Sequence, residues 1–283
     1  MSIEKQHKLI LVKKTLNFEK KIRSSMKSFY KEITFAEIDY SPEKMLQVLH
    51  QNKVTVLRGY EGQEDPFEFF TKLSDQLGEI VPSDEDLVTG QPTGKRWIDI
   101  TYDPAVMNKY RSAPVGQPLH TDASYSPIKD NVQFFYCAGQ AELGGATTFI
   151  DGHTVVKLLE MAEETELLED LKKHKIRFAK DDRERITPIL WKEDDTWHFN
   201  WNYYTGAKEN NEFEKELFER FHNFLETRVV RSGLVTEAML GENDAVFFHD
   251  ELVLHGRNSY FATAKGQRSL RKGTILLKEL AVS

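Results

Sequence analysis

The chain has 283 residues, 40% of them hydrophobic, and 38 basic against 45 acidic side chains give a net charge of −7. That length and apolar content suit one large domain with a sizeable core, and an acidic balance without a basic stripe argues against a nucleic-acid partner. A single cysteine, Cys137, excludes an internal disulfide and a thiolate zinc cluster, and no run of eighteen apolar residues is available to span a membrane.

In chain order, Met1 to Lys5 do not open a signal-peptide apolar region, so the expected location is a reducing cytoplasm. Residues 14–32, rich in Lys, Glu and Ser, suit an amphipathic helix or a loosely held arm. Ser41-Pro42-Glu43 has the form of a helix start, and the helix should reach about Asn52. Val54 to Gly59 is β-rich and ended by glycine, hence a strand. Asp65-Pro66 opens a second helix, with Phe67, Phe70, Leu73 and Leu77 at helical spacing before Gly78. The expectation is one domain over 1–283, with 1–60 a mostly helical N-terminal extension.

Residues 82–96 are polar and rich in Pro, Gly and Thr, and predict a long loop. The loop is a lid over a site near His120, or plain surface. Trp97 to Tyr102 alternates as a strand, and Val132 to Ala138 reads as a strand buried on both faces, with Cys137 a buried small hydrophobe. Gly144-Gly145 is a turn, Ala146 to Ile150 a strand, and Asp151-Gly152 its end. Helices are expected over 154–173 and from Glu212 to Thr227. Strands are expected at Ile176 to Ala179, Trp197 to Trp201, Asp244 to Phe248, Leu252 to His255 and Gly273 to Leu277. Many short strands with helices at the start and in one middle insertion predict a mainly β fold, a sandwich or jelly roll with helical decoration. No glycine-rich strand-to-helix phosphate loop supports a doubly wound alternative.

The chemistry concentrates in two stretches. His120-Thr121-Asp122 places a histidine and a carboxylate two residues apart, on one face of an extended chain. Leu254-His255-Gly256-Arg257 supplies a second histidine, with His249 as its rival. Two histidines and one carboxylate leave open positions on an octahedral ion, the facial triad of non-haem Fe(II) oxygenases. Driving O2 activation calls for a 2-oxoacid cosubstrate, whose far carboxylate needs a buried cation. Arginine suits it because its fork binds a carboxylate through two parallel hydrogen bonds. Arg268 is the candidate, with Thr147 as a hydroxyl donor; Arg257 either contacts the cosubstrate or braces its strand.

His120-Thr121-Asp122, Gly144-Gly145-Ala146-Thr147, Leu254-His255-Gly256-Arg257 and Arg268-Ser269-Leu270-Arg271 stand in the order found in the taurine dioxygenase-like Fe(II)/2-oxoglutarate family, which this chain resembles over roughly residues 97–280. The wording is closest to the γ-butyrobetaine hydroxylase branch. Two departures from that branch are the lack of its N-terminal zinc-binding domain and His249-Asp250 where it tends to have Asp-Asn. The resemblance implies a double-stranded β-helix core, His120, Asp122 and His255 as iron ligands, and Thr147 and Arg268 holding 2-oxoglutarate. Relatives with Gly or Ala in place of Asp122 are halogenases, so the resemblance also implies hydroxylation or another oxidation here.

The expected function is therefore an Fe(II)/2-oxoglutarate-dependent dioxygenase that hydroxylates an unactivated C–H, using O2 and releasing succinate and CO2. Desaturation or ring formation would use the same residues. A cupin-type metalloenzyme without 2-oxoglutarate would not need Arg268, and a non-catalytic jelly-roll binding protein would not need the triad. The expected partner is a small polar metabolite, an amino acid or its derivative, and a homo-oligomer is compatible with the sequence. Candidate substrate contacts are Trp97, Asp99, Tyr102, Tyr125, Asn202 and Tyr203, whose aromatics serve equally as core and strand residues, with Lys272 and Arg271 for a carboxylate, although Arg271 reads first as a structural ion-pair partner.

Overall fold

The computed structural model describes residues 29–86, 89–127, 132–193 and 195–279. The first strand, β1 (Tyr30–Thr34), is followed by helix α1 (Pro42–Gln51), β2 (Val54–Arg58), α2 (Pro66–Leu77), β3 (Gly78–Val81) and β4 (Ile98–Thr101). Both helices start as their sequences predict. Ser41 accepts from the Lys44 N–H and Asp65 from the Glu68 N–H, each with proline at the first helical position. Next come β5 (Gln117–His120), β6 (Val132–Gly139), β7 (Leu143–Gly144) and β8 (Thr147–Asp151). An insertion holds α3 (Gly152–Met161), α4 (Thr165–Lys173), the hairpin of β9 (Lys175–Lys180) and β10 (Arg183–Pro188), the hairpin of β11 (Leu190–Glu193) and β12 (Thr196–Phe199), and α5 (Glu212–Phe224). The chain then returns through β13 (Thr236–Ala238), β14 (Ala245–His249), β15 (Val253–Arg257), β16 (Tyr260–Phe261) and β17 (Ser269–Leu277).

Two sheets make the core. The larger runs β1-β2-β14-β6-β17-β3, with β4 also paired to β17; the smaller runs β13-β8-β15-β5. Their inner faces share one apolar layer that includes Phe135 and Phe248 from the larger sheet and Phe149 and Val253 from the smaller. Two outer layers close the fold. Helices α1 and α2 cover the larger sheet, with Met45, Phe70 and Leu73 against Phe134 and Phe247. The inserted helices cover the smaller one, around the fully buried Trp201. This is a double-stranded β-helix, as expected. Strand β6 is central, flanked by β14 and β17 and buried along most of its length, which its continuous apolar run predicts. Cys137 lies in that strand, and burial pushes its thiol up to about 11.

The N-terminal region departs from expectation. Residues 29–60 are not mostly helical. Two of their segments are strands of the larger sheet, and β1 pairs in parallel with β2 from Tyr30↔Val54 to Thr34↔Arg58. As an edge strand β1 buries only Ile33 fully, so its sequence carries no period-two signal. The rest of the predicted arm, residues 14–28, lies outside the described residues. Helix α5 ends at Phe224, and a π turn over Leu225–Val229 continues it. Strands β10 and β11 had no counterpart in the prediction. Among the described residues no helix is long and apolar enough to cross a membrane.

Candidate active site

The smaller sheet brings His255 to the His120-Thr121-Asp122 stretch, more than 130 residues earlier in the chain. His120 ends β5, Asp122 follows it, and His255 sits on β15 directly opposite His120 in the pairing. One ligand atom from each lies within 4.8 Å of the others. His120 Nε2 is 3.8 Å from Asp122 Oδ1, and His255 Nε2 is 3.5 Å from Asp122 Oδ2. Two ligands held about 2.1 Å from one ion at right angles would stand roughly 3 Å apart, so small side-chain rotations suffice to close on a metal. The donor set, two nitrogens and a carboxylate on one side of an open cavity, fits iron(II). His120 Nδ1 donates to the Pro118 carbonyl at 2.9 Å, which leaves Nε2 as the acceptor nitrogen, 3.0 Å from the Gln117 side-chain amide nitrogen and beside Asp122. His249 takes no part. Its Nε2 donates to the Leu49 carbonyl at 2.7 Å, on the far side of the larger sheet.

Electrostatics keep the triad in its metal-binding protonation states. Burial holds the His120 imidazole below its ordinary pKa and, with the neighbouring His120, lowers His255 well below it. Burial would raise Asp122, but the Lys272 ammonium and then the two imidazoles hold its carboxyl well below the usual carboxylate range. Lys272 reaches from β17 in the opposite sheet and pairs with Asp122 Oδ2 at 2.5 Å.

The triad lines a cavity of about 790 Å³, within the range of small-molecule sites. Arg268 lines it too, only 4% exposed. Among the described residues no carboxylate pairs with Arg268. Its guanidinium lies over the Tyr260 ring at 5.0 Å, and burial, then the nearby Arg257 charge, push its pKa down to about 10. Thr147 opens β8 beside it. Arg257 lines the same wall but is committed: its guanidinium donates to the carbonyls of Tyr110, Ala113 and Val115 at 3.0, 2.9 and 2.6 Å. Of the two sequence readings of Arg257, the geometry favours bracing.

Alternation along β17 separates the remaining candidates. Arg268, Leu270, Lys272 and Thr274 face the cavity, whereas Arg271 faces away, over the Phe67 ring at 3.9 Å and 3.6 Å from Asp99. Trp97 packs on that outer face against Phe67 and Phe134, where Gly273 leaves room for its ring. Tyr102 packs on Tyr260. Trp97, Asp99, Tyr102 and Arg271 therefore do not line this cavity, and Arg271 stands as the ion-pair partner that its first sequence reading makes it. Ile98 and Ile100 are the residues of β4 that do. Tyr125, Asn202, Tyr203 and Lys272 line the cavity.

Sequence reasoning missed a rim of charges. Glu85, in the 82–96 loop, pairs with Lys180 and Arg183 of the β9–β10 hairpin and accepts from the Tyr125 hydroxyl at 3.0 Å. Arg183 to Pro188 holds one large aliphatic residue, Ile186, so its sequence carries little strand signal, and nothing local links it to residue 85. Asp250 was also missed. It is 1% exposed, and its Oδ1 accepts from the Asp122 N–H at 3.0 Å.

Strand β15 lies close to β5 because Gly256 has no side chain. A methyl group there would come 2.6 Å from the Gln117 carbonyl oxygen. Gly256→Ala is therefore expected to part the strands that carry His120 and His255. Overpacking of this kind costs on the order of 1–3 kcal/mol, a fall in Tm of roughly 2–10 °C, and metal affinity should fall with it. Thermal melts and metal titration check this; parent-like values for both would show slack between the strands.

Known proteins match the chain at the level of family and fold. The family model described as taurine catabolism dioxygenase TauD, TfdA family matches residues 21–274. No curated protein sequence matches the chain. Solved structures with the same fold include PvcB of Pseudomonas aeruginosa, 17% identical with a TM-score of 0.59, covering 83% of this chain and 80% of that one. An asparagine oxygenase in complex with Fe(II), 3-hydroxyasparagine and succinate is 11% identical, with a TM-score of 0.59 over 83% and 78% of the two chains. The non-heme iron oxygenase OrfP, in complex with Fe and α-ketoglutaric acid, is 16% identical, with a TM-score of 0.58 over 84% and 80%. Another OrfP structure holds Fe, succinate and (3S)-hydroxy-L-Arg.

Proposed function

The chain belongs to the taurine catabolism dioxygenase TauD, TfdA family and is an iron- and 2-oxoglutarate-dependent dioxygenase, and from that premise we propose that it oxidises an unactivated C–H bond of a small amino acid or amino-acid derivative. The observation that carries the reading is the pairing, in one cavity, of a His-Asp-His cluster with a buried arginine that has no carboxylate partner among the described residues. An iron oxygenase without 2-oxoglutarate would have no use for that arginine.

Each residue then has a task. His120, Asp122 and His255 would hold the iron at the wall of the cavity. Arg268, with Thr147 beside it, would take the far carboxylate of 2-oxoglutarate by its planar fork. Bound iron, 2-oxoglutarate and O2 together supply the oxidising power, with succinate and CO2 as co-products. The protein orients the C–H bond and keeps water out. Lys272 stands beside Asp122 and would pair with an acidic group of the substrate. Tyr125, Asn202 and Tyr203 would line its path, and the 82–96 loop, anchored by Glu85, would cover it.

Two similarities support an amino-acid scale for the substrate. Two structural neighbours are complexes with hydroxylated asparagine and hydroxylated arginine. The motif wording near His120 and His255 resembles γ-butyrobetaine hydroxylases, which handle a small zwitterion. The test is succinate release in a screen of free amino acids, betaines and N-modified derivatives. Stimulation by at least one is expected. Turnover only with carrier-bound or extended apolar compounds would overturn the small-substrate assignment and leave the iron chemistry standing.

A further inference from the structure

His255 Nδ1 is buried and makes no hydrogen bond. If Nε2 faces a metal, Nδ1 carries the proton, and a buried N–H without an acceptor costs on the order of 1–3 kcal/mol. The facing acceptor is Asp250 Oδ1, 3.5 Å away. That same oxygen already accepts from the Asp122 backbone N–H at 3.0 Å. Asp250 lies on a 3-10 turn between β14 and β15, so it enters the site from behind the ligands, away from the cavity.

We infer that Asp250 is a positioning residue for the metal site: one carboxylate oxygen orients the His255 ring through Nδ1–H and sets the position of Asp122 through its backbone. The inference rests on the metal-site reading above. Its physical basis is geometry. A rotation of the ring shortens 3.5 Å to hydrogen-bond distance, and the bond fixes both the tautomer and the plane of the imidazole. The partner must be an acceptor. Asparagine at 250 can still offer one oxygen, whereas alanine offers none.

The experiment uses the full chain loaded with Co(II) or, anaerobically, with Fe(II). Parent, Asp250→Asn and Asp250→Ala are compared by metal titration and by proton NMR of the Co(II) form, where the N–H of a ligating imidazole appears as a shifted, exchangeable signal. The parent should show the His255 signal protected from exchange. Asp250→Ala should lose or deprotect it and bind metal about 10–100-fold more weakly. Asp250→Asn should keep a protected but displaced signal and recover most of the affinity. If Asp250→Ala does not fold, the Asp250→Asn spectrum decides, because an undisplaced signal there overturns the inference. Equal affinity in parent and Asp250→Ala, or equal loss in both variants, also overturns it. A parent that binds neither metal would overturn the metal-site reading itself, a distinguishable failure.

Discussion

His255→Ala is expected to abolish iron-dependent turnover while the protein stays folded, and His120→Ala and Asp122→Ala should do the same. Each removes one of the three protein donors that the described residues bring to the cluster. Loss of even an outer partner of a metal ligand costs roughly 10–100-fold in affinity, so loss of a donor itself should exceed about a hundredfold. The fold should survive because the apolar layers are built from other side chains, although His255→Ala removes a ring packed on Phe248 at 4.6 Å and Asp122→Ala strands the half-buried ammonium of Lys272. Anaerobic Fe(II) titration with 2-oxoglutarate reads the result as loss of the visible charge-transfer band. His249→Ala is the control. Activity lost there and retained in His255→Ala would mean the third ligand is misassigned.

Arg268→Ala should chiefly weaken 2-oxoglutarate. Truncating one partner of a desolvated charge pair costs roughly 2–5 kcal/mol, which at about 1.4 kcal/mol per tenfold is on the order of a hundredfold or more in apparent affinity. Arg268→Lys keeps the charge but loses the bidentate fork, so it should fall between the two. Stability of the chain without cosubstrate should not suffer. Among the described residues this guanidinium pairs with no carboxylate, and burial and Arg257 both oppose its charge. The measurements are the 2-oxoglutarate dependence of succinate release and a thermal melt. Unchanged 2-oxoglutarate dependence would remove Arg268 from the site.

The reach of the sequence follows from how local each signal is. His120 and Asp122 are two residues apart on an extended chain, so their shared direction could be read directly. Strands such as β6 and helices such as α1 and α2 carry composition, caps and spacing within a few residues. The faces of β17 were harder. Arg268, Arg271 and Lys272 differ little in chemistry, and only the pairing with β6 and β4 decides that Arg271 turns away with Trp97 and Asp99. Asp250 bonds to a residue 128 positions earlier, and Glu85 to residues 95 and 98 positions later. No spacing rule reaches that far. Strand β1 failed for the opposite reason: an exposed edge strand places so few demands on its residues that its composition resembles an arm.

That edge strand has a practical consequence for anyone shortening the chain. β1 shields the backbone of β2 with a parallel ladder along all five residues, and Phe29 and Ile33 each plug a different apolar layer. A truncation starting at residue 36 would strip both plugs and leave Val54 to Arg58 with one edge unpaired. Unpaired strand edges recruit other chains. Such a variant would fail by clumping during expression, long before its catalytic competence could be judged, and its inactivity would be mistaken for a defect in the iron site.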